Sequence, residues 1–263
     1  MILGFDHLVH FTNRPNKVMH KFRALGFNTF AGGRHPNWGT HNCLSFFPGL
    51  RYIEWIGIED YQAAKESENV LIQQIVKDST FEEGFSNIAL RTNDNSSLAE
   101  WLKEQGIEVI GPVDGQRRKE DGSLLQWSML FIKEKGDMPL RYPFFIQWGN
   151  TDENREREMA DMMKHPLGTP SISFIGFNVT DEKKAFHQYA SILSKNPAAV
   201  QARKDEFGSF IELPIRENFN LRFYKKGESS FGDEAFSPVV CGIEGCEDAR
   251  IEKVNGGTYF LMK

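Results

Sequence analysis

The sequence predicts an α+β protein built from repeated strand–helix–strand units. Three observations predict it. The chain repeats at an offset of 80 residues, with Gly4-Phe5 recurring as Gly84-Phe85 and Gly26 as Gly106. In each copy a strand-like stretch gives way to helical spacing and then to further strand-like segments. The 22 Phe, 5 Trp and 6 Tyr suit large sheet cores or an apolar cavity.

The first unit covers residues 1–80. Phe5 to His10 reads as a strand. Val18, Phe22 and Leu25 fall at helical spacing, and Gly26 stops that helix where a left-handed cap is wanted. Asn42 to Phe47 and Tyr52 to Ile56 read as strands. The second unit covers 81–150, with a strand at Phe85 to Leu90. Its helix carries Leu98, Trp101 and Leu102 and stops at Gly106, and strands come next at Leu124–Ile132 and Phe144–Trp148. Ile53-Glu54-Trp55 matches Ile146-Gln147-Trp148 at an offset of 93, so the second copy has a longer loop. The charged run Arg117 to Asp121 reads as its solvated hairpin tip. Each unit is therefore βαβββ.

Residues 151–170 read as a connector. Six of the seven residues Asp152–Glu158 are charged, and Pro166, Gly168 and Pro170 interrupt its second half. Residues 171–263 read as a third, degenerate copy plus the start of a fourth. A strand is expected at Phe174–Thr180 and a helix capped by Asp181 running to about Leu193. Strands at Phe210–Leu213, Leu221–Tyr224 and Val239–Ile243 precede a short helix at Glu247–Val254.

Composition bounds the function. The 263 residues carry 31 Lys+Arg against 36 Asp+Glu, a formal charge of −5. Mild acidity with dispersed basic residues argues against nucleic acid as a partner. No apolar run of about 18 residues exists, so no membrane span is expected. The opening MILGFDHLVHFTNR lacks the basic start and long apolar stretch of a signal peptide, and only three cysteines occur, Cys43, Cys241 and Cys246. A reducing cytoplasm is the expected location.

Several segments resemble the vicinal oxygen chelate superfamily, the glyoxalase/bleomycin-resistance/dioxygenase group. Phe5-Asp6-His7-Leu8-Val9 resembles its first strand. Gly32-Gly33-Arg34-His35-Pro36, Gly39-Thr40-His41-Asn42 and Tyr52-Ile53-Glu54 resemble its glyoxalase-like branch. The resemblance covers residues 1 to about 150 and implies a cup-shaped mixed sheet around a ligand cavity. It also implies a homodimer. The fold hosts several reactions as well as plain binders.

By position, the superfamily's ligand places fall on His7, Glu54, Asn87 and Gln147. His7, Val9 and Phe11 share one face of the first strand, and Asp6, Leu8 and His10 the other. Tyr52 and Ile56 would share the inner face with Glu54, and Phe145 with Gln147. His7 and Glu54 are good ligands for Zn, Mn, Ni or Fe, with Gln147 as a weaker third. Asn87 and Gln147 depart from a glyoxalase I set and from a ring-cleaving dioxygenase set. Two further readings stay open. His7 and Glu54 form a metal-free acid–base pair, or they are hydrogen-bonded polar groups in a pocket. The Gly32–Asn42 segment brings His35, Trp38 and Asn42 to the cavity mouth, His35 as a proton donor or anion binder and Trp38 as a cover for an apolar ligand. Arg91, Arg141, His10, His20, His165 and His187 read as surface or connector residues. Glu212 echoes Glu54 with an uncertain register.

The function expected is a glyoxalase-like small-molecule enzyme of lyase or isomerase type, acting on a carbonyl or hydroxy-carbonyl substrate. His7, Glu54 and His35 are its catalytic candidates, and Trp38, Asn42, Asn87 and Gln147 its substrate-binding candidates. The alternative is a sequestering protein without catalysis.

Overall fold

The computed structural model describes residues 3–118, 122–134, 136, 140–193, 201–232 and 237–263. The first unit comprises β1 (Gly4–Phe11), α1 (Pro15–Ala24), β2 (Phe30–His35), β3 (Thr40–Phe47) and β4 (Arg51–Ile58). After it come two helices that the sequence reading did not anticipate, α2 (Tyr61–Glu66) and α3 (Val70–Asp78). The second unit comprises β5 (Gly84–Arg91), α4 (Asn95–Glu104), β6 (Val109–Arg118), β7 (Leu124–Ile132) and β8 (Phe144–Trp148). Together they make one eight-stranded sheet in the order β2-β3-β4-β1-β5-β8-β7-β6.

The repeat is visible in the pairing of β1 with β5. His7 opposes Ala89 and Val9 opposes Asn87, so adding 80 exchanges the two pairs. Both strands carry a bulge. Asp6 is extra between Phe5 and His7, and Ser86 is extra opposite the Val9–His10 step. The expected glycine caps are in place, with φ +93° at Gly26 and +74° at Gly106.

The connector folds in part. Thr151 caps α5 (Asp152–Met159), its hydroxyl accepting from the Asn154 backbone N–H. Beyond it lies a second curled sheet. Its strands are β9 (Ser171–Val179), β10 (Ala202–Asp205), β11 (Gly208–Pro214), β12 (Asn220–Ser229), β13 (Pro238–Glu244), β14 (Arg250–Val254) and β15 (Gly257–Leu261). The helix after β9 is α6 (Glu182–Ile192), capped by Asp181 as expected. The order is β10-β11-β12-β9-β13-β15-β14, and β13 pairs with β9 through the same two bulges. The segment expected as a helix at Glu247–Val254 is in fact strand β14. It hairpins with β15, and that pairing outweighs the weak helical pattern of an exposed charged stretch.

The outer faces of both sheets pack with α1, α4 and α6 into one core that includes Phe5, Phe22, Leu98, Phe177, Phe223 and Tyr259. A polar chain crosses this core. Trp55 Nε1 donates to the Tyr259 hydroxyl at 3.1 Å, and that hydroxyl lies 2.6 Å from His10 Nδ1. His10 Nε2 donates to the Asn255 carbonyl at 2.8 Å, which fixes Nδ1 as the acceptor from Tyr259. His10 is thus a fully buried interface residue, not the surface residue expected. His165 is also buried, accepting from the Asn28 N–H and donating to the Phe46 carbonyl.

The inner face of the second sheet is filled. Phe174, Phe207, Phe210, Tyr224, Val240 and Phe260 form one cluster, and the Arg222 guanidinium lies 3.8 Å from the centre of the Phe174 ring. Phe174 comes after a bulged residue as His7 does, and Arg222 opposes Gly176 as Glu54 opposes Val9. Glu212 is on β11, where it accepts from Arg222 at 2.9 Å, so its echo of Glu54 was a register coincidence. Among the described residues no helix is long and apolar enough to cross a membrane.

Candidate active site

The first sheet curls around a cavity of about 690 Å³. His7, Tyr52, Glu54 and Asn42 form its polar floor, and Leu44, Ile56, Met129, Phe144 and Ile146 are among its apolar walls. Helix α3 covers part of the inner face, packing Leu71, Ile72 and Ile75 on Val9, Ala89 and Ile146. The mouth carries His35, Trp38, Trp127 and Trp148, with Arg155, Met159 and Met162 from the connector. An outer recess of about 920 Å³ shares His35, Trp38, Arg117 and the other two tryptophans.

The bulge in β1 creates the central arrangement. By strict alternation Asp6 would face away from His7. The extra residue brings Asp6 round, and its Oδ1 sits 2.8 Å from His7 Nδ1. Asp6 is completely buried. Burial alone would raise its carboxyl, but the bond to His7 and the positive charges of Arg155 and Arg91 prevail and hold it at about 2. An ionised carboxylate only accepts, so His7 Nδ1 is the donor. Trp148 Nε1 donates to the other oxygen at 3.0 Å, and Arg91 and Arg155 stand 3.5 and 3.7 Å away.

This fixes what His7 offers. With Nδ1–H committed to Asp6, Nε2 points toward Glu54, whose Oε2 is 3.7 Å away. Glu54 is held by Asn42, whose amide donates to Oε1 at 2.5 Å. Tyr52 stacks on the His7 ring at 4.3 Å, and burial, with the charges of Asp6 and Glu54, pushes its phenol far above the ordinary value, so it stays neutral. The floor is therefore a relay, Asp6–His7–Glu54, in which the outer two carboxylates flank one imidazole.

The Gly-Gly segment has a steric reason. A Cβ on Gly32 would lie 2.1 Å from Asn42 Oδ1, and one on Gly33 would lie 2.4 Å from Arg117 Nη1. Gly33 also has φ +135°, beside a bulge in the β2–β3 pairing. The strands β2 and β6 are the two edges of the sheet, and Arg117 of β6 crosses from one to the other. Arg117 is thus part of the cavity wall and not a solvated tip as expected; Lys119, Glu120 and Asp121 lie outside the described residues. His35 bonds to the Thr40 hydroxyl at 3.1 Å and is driven toward its neutral form, chiefly by burial, against the opposing charge of Glu54. Trp38 meets Trp127 edge-on at 5.9 Å.

Two expected site residues are elsewhere. Gln147 faces away from the cavity and accepts from the backbone N–H of Asn95 at the start of α4. The inner face of β8 is Phe144, Ile146 and Trp148. The match of Ile53-Glu54-Trp55 to Ile146-Gln147-Trp148 was out of register: Ala89, the counterpart of Val9, opposes Phe144, so Phe144 is the true counterpart of Glu54. Asn87 is covered by α3, its amide donating to Gln74 at 3.3 Å. Arg91 and Arg141, expected at the surface, are tied to Asp152 and Asp78.

His7 and Glu54 are the two donors that the ligand places supply, whereas catalytic zinc sites use three protein ligands. Among the described residues no group of three His, Cys, Asp or Glu is arranged for a metal. Phe144 and the guanidinium groups of Arg117 and Arg155 share the cavity with the pair. The donor set falls short of the three protein ligands of a catalytic zinc site.

The family model for the glyoxalase-like domain matches residues 5–193. A hypothetical protein from Staphylococcus aureus has the same fold, with TM-score 0.81 and 21% identity over 99% of each chain. A hypothetical protein from Bacillus halodurans C-125 gives TM-score 0.40 at 16% identity, covering 57% of this chain and 96% of its own. Methylmalonyl-CoA epimerase from Mycobacterium tuberculosis gives 0.40 at 16%, covering 58% and 91%. No curated relative matches the sequence at a significant level. The family match spans well over half of the chain and contains every residue of the relay, and the chain belongs to the glyoxalase-like domain family.

Proposed function

We propose that the protein is a small-molecule enzyme of isomerase or lyase type that moves a proton at the carbon next to a carbonyl or hydroxy-carbonyl group. The observation that carries this is the buried Asp6–His7 pair with His7 Nε2 directed at the cavity beside Glu54. Asp6 orients the imidazole and stabilises the imidazolium that forms when Nε2 takes a proton. Glu54, 3.7 Å away, can return a proton or hold the substrate hydroxyl. Tyr52 and Phe144 enclose the ring and exclude water. His35, Trp38 and Asn42 serve substrate binding at the mouth and floor.

A sequestering pocket is the second reading, favoured by the apolar walls. Incubation in D2O with a panel of carbonyl and hydroxy-carbonyl compounds separates the two. The enzyme reading predicts deuterium at the carbon beside the carbonyl, and a rate about 100-fold lower or less in His7→Gln. Saturable binding with no exchange by any panel member supports the sequestering reading instead. A cytoplasmic homodimer is proposed on family grounds, and sedimentation at micromolar concentration tests its mass.

A further inference from the structure

The cavity is lined by two guanidinium groups with buried nitrogens that have no hydrogen-bond partner among the described residues. Arg155 is 3% exposed, and neither of its terminal nitrogens has a hydrogen-bond partner among the described residues. Its ion-pair contacts to Asp6 and Asp152 are 3.7 and 3.6 Å, beyond hydrogen-bond distance. The Asp6 oxygens each accept one hydrogen bond at shorter range, from His7 and from Trp148. Arg155 is held instead by its stack on Trp148, 4.4 Å from the ring centre. Arg117, on the edge strand β6, has a buried Nη1 without a hydrogen-bond partner among the described residues. The carboxylate that acts on it is Glu54, whose Oε1 already accepts from Asn42. A buried donor without an acceptor costs more than a typical hydrogen bond returns, and more still when charged. Two such groups at one cavity are what an anionic oxygen ligand would satisfy.

We propose that the cup binds an amphipathic organic anion, with a carboxylate or phosphate head received by Arg117 and Arg155 and an apolar remainder against Trp38, Leu125, Trp127 and Met129. This deepens the function proposed above by naming its substrate class, and it rests on the same cavity. Both arginines are required. Arg117 forms the clasp between β2 and β6, which Gly33 permits by having no side chain. Arg155 belongs to α5, so the connector contributes to the site.

The test uses the full chain and three probes with one tail: octanoate, octyl phosphate and 1-octanol, each added in a calorimetric titration. The wild-type protein should bind one or both anions at least about tenfold more tightly than the alcohol. The better of the two anions identifies the head group. Arg117→Met should remove that preference, and Arg155→Lys should reduce it. Thermal melts establish that each variant is folded; Arg117 is the more exposed of the two, so its variant keeps the test decisive. The proposal is overturned if the alcohol binds wild-type protein as tightly as the anions, if none of the three binds, or if Arg117→Met keeps the preference. His7→Gln separates the two readings. It should keep the anion preference while losing deuterium exchange. Exchange by the wild type without anion preference sinks the ligand class alone, and preference without exchange sinks the proton-transfer reading alone.

Discussion

Asp6 shows how much one residue of slippage changes. Strand alternation assigns it to the face opposite His7, and no feature of Phe5-Asp6-His7 announces a bulge. Only the pairing with β5 reveals that Asp6 is an extra residue beside His7. The consequence is a buried carboxylate held at about 2 by His7, Arg155 and Arg91 against its own desolvation. Its folded value lies below the ordinary one of about 3.9, so its stabilising contribution is present above about pH 4 and fades as pH falls toward 2. Asp6→Asn removes the buried one of the two carboxylates that Arg91 and Arg155 share, leaving the half-exposed Asp152. It should lower stability by about 3 kcal/mol at neutral pH in urea unfolding. An unchanged midpoint would show that the arginines are not held by Asp6. His7 and Glu54 were legible in the sequence as residues that meet at the cavity. Asp6 and the role of Arg117 were not, because each depends on a long-range contact.

Among the strands and helices, the sheet edges matter most. The Gly32-Gly33 pair is readable as unusual backbone, but the reason for Gly33 lies 84 positions away in Arg117. Gly33→Ala places a methyl group where Arg117 Nη1 now lies and at a φ that Ala resists. It should cost about 1–2 kcal/mol in stability and weaken octanoate binding without removing any charge. Unaltered octanoate affinity in a folded Gly33→Ala protein would disconnect the clasp from the site. The β8 strand shows the limit of local matching. Ile-x-Trp recurs, yet Trp55 is on the outer face and Trp148 on the inner one, since sequence likeness over three residues does not fix a register. The connector was readable as charged, but not as α5, whose stability comes from a cap and from packing against the cup rather than from an amphipathic stripe.

Across the molecule, the repeat was legible twice over, and the second sheet was legible as a degenerate copy. What the sequence did not disclose is that the copy is filled, with Arg222 and Phe174 at the places of Glu54 and His7. The second sheet supports the first through the Trp55–Tyr259–His10 chain. Burial, outweighing the Asn255 carbonyl and Glu83, lowers His10 to about 4. Its neutral form is the one the fold accepts, so stability is full above about pH 6.5 and is lost as pH falls through 4. Unfolding free energy should drop by about 2 kcal/mol between about pH 7 and about pH 5, and the drop should disappear in His10→Gln. Equal pH dependence in both proteins would remove His10 as its source.

The proposed chemistry depends above all on Asp6 holding the His7 proton on Nδ1 and leaving Nε2 to work in the cup. Nitrogen-15 NMR of the histidine-labelled protein, with His7 assigned by its absence in His7→Gln, tests this without a substrate. The neutral ring should be the Nδ1–H tautomer, with Nε2 unprotonated, and this preference should be lost in Asp6→Asn. A neutral His7 that carries its proton on Nε2 would contradict that assignment and the proton transfer built on it.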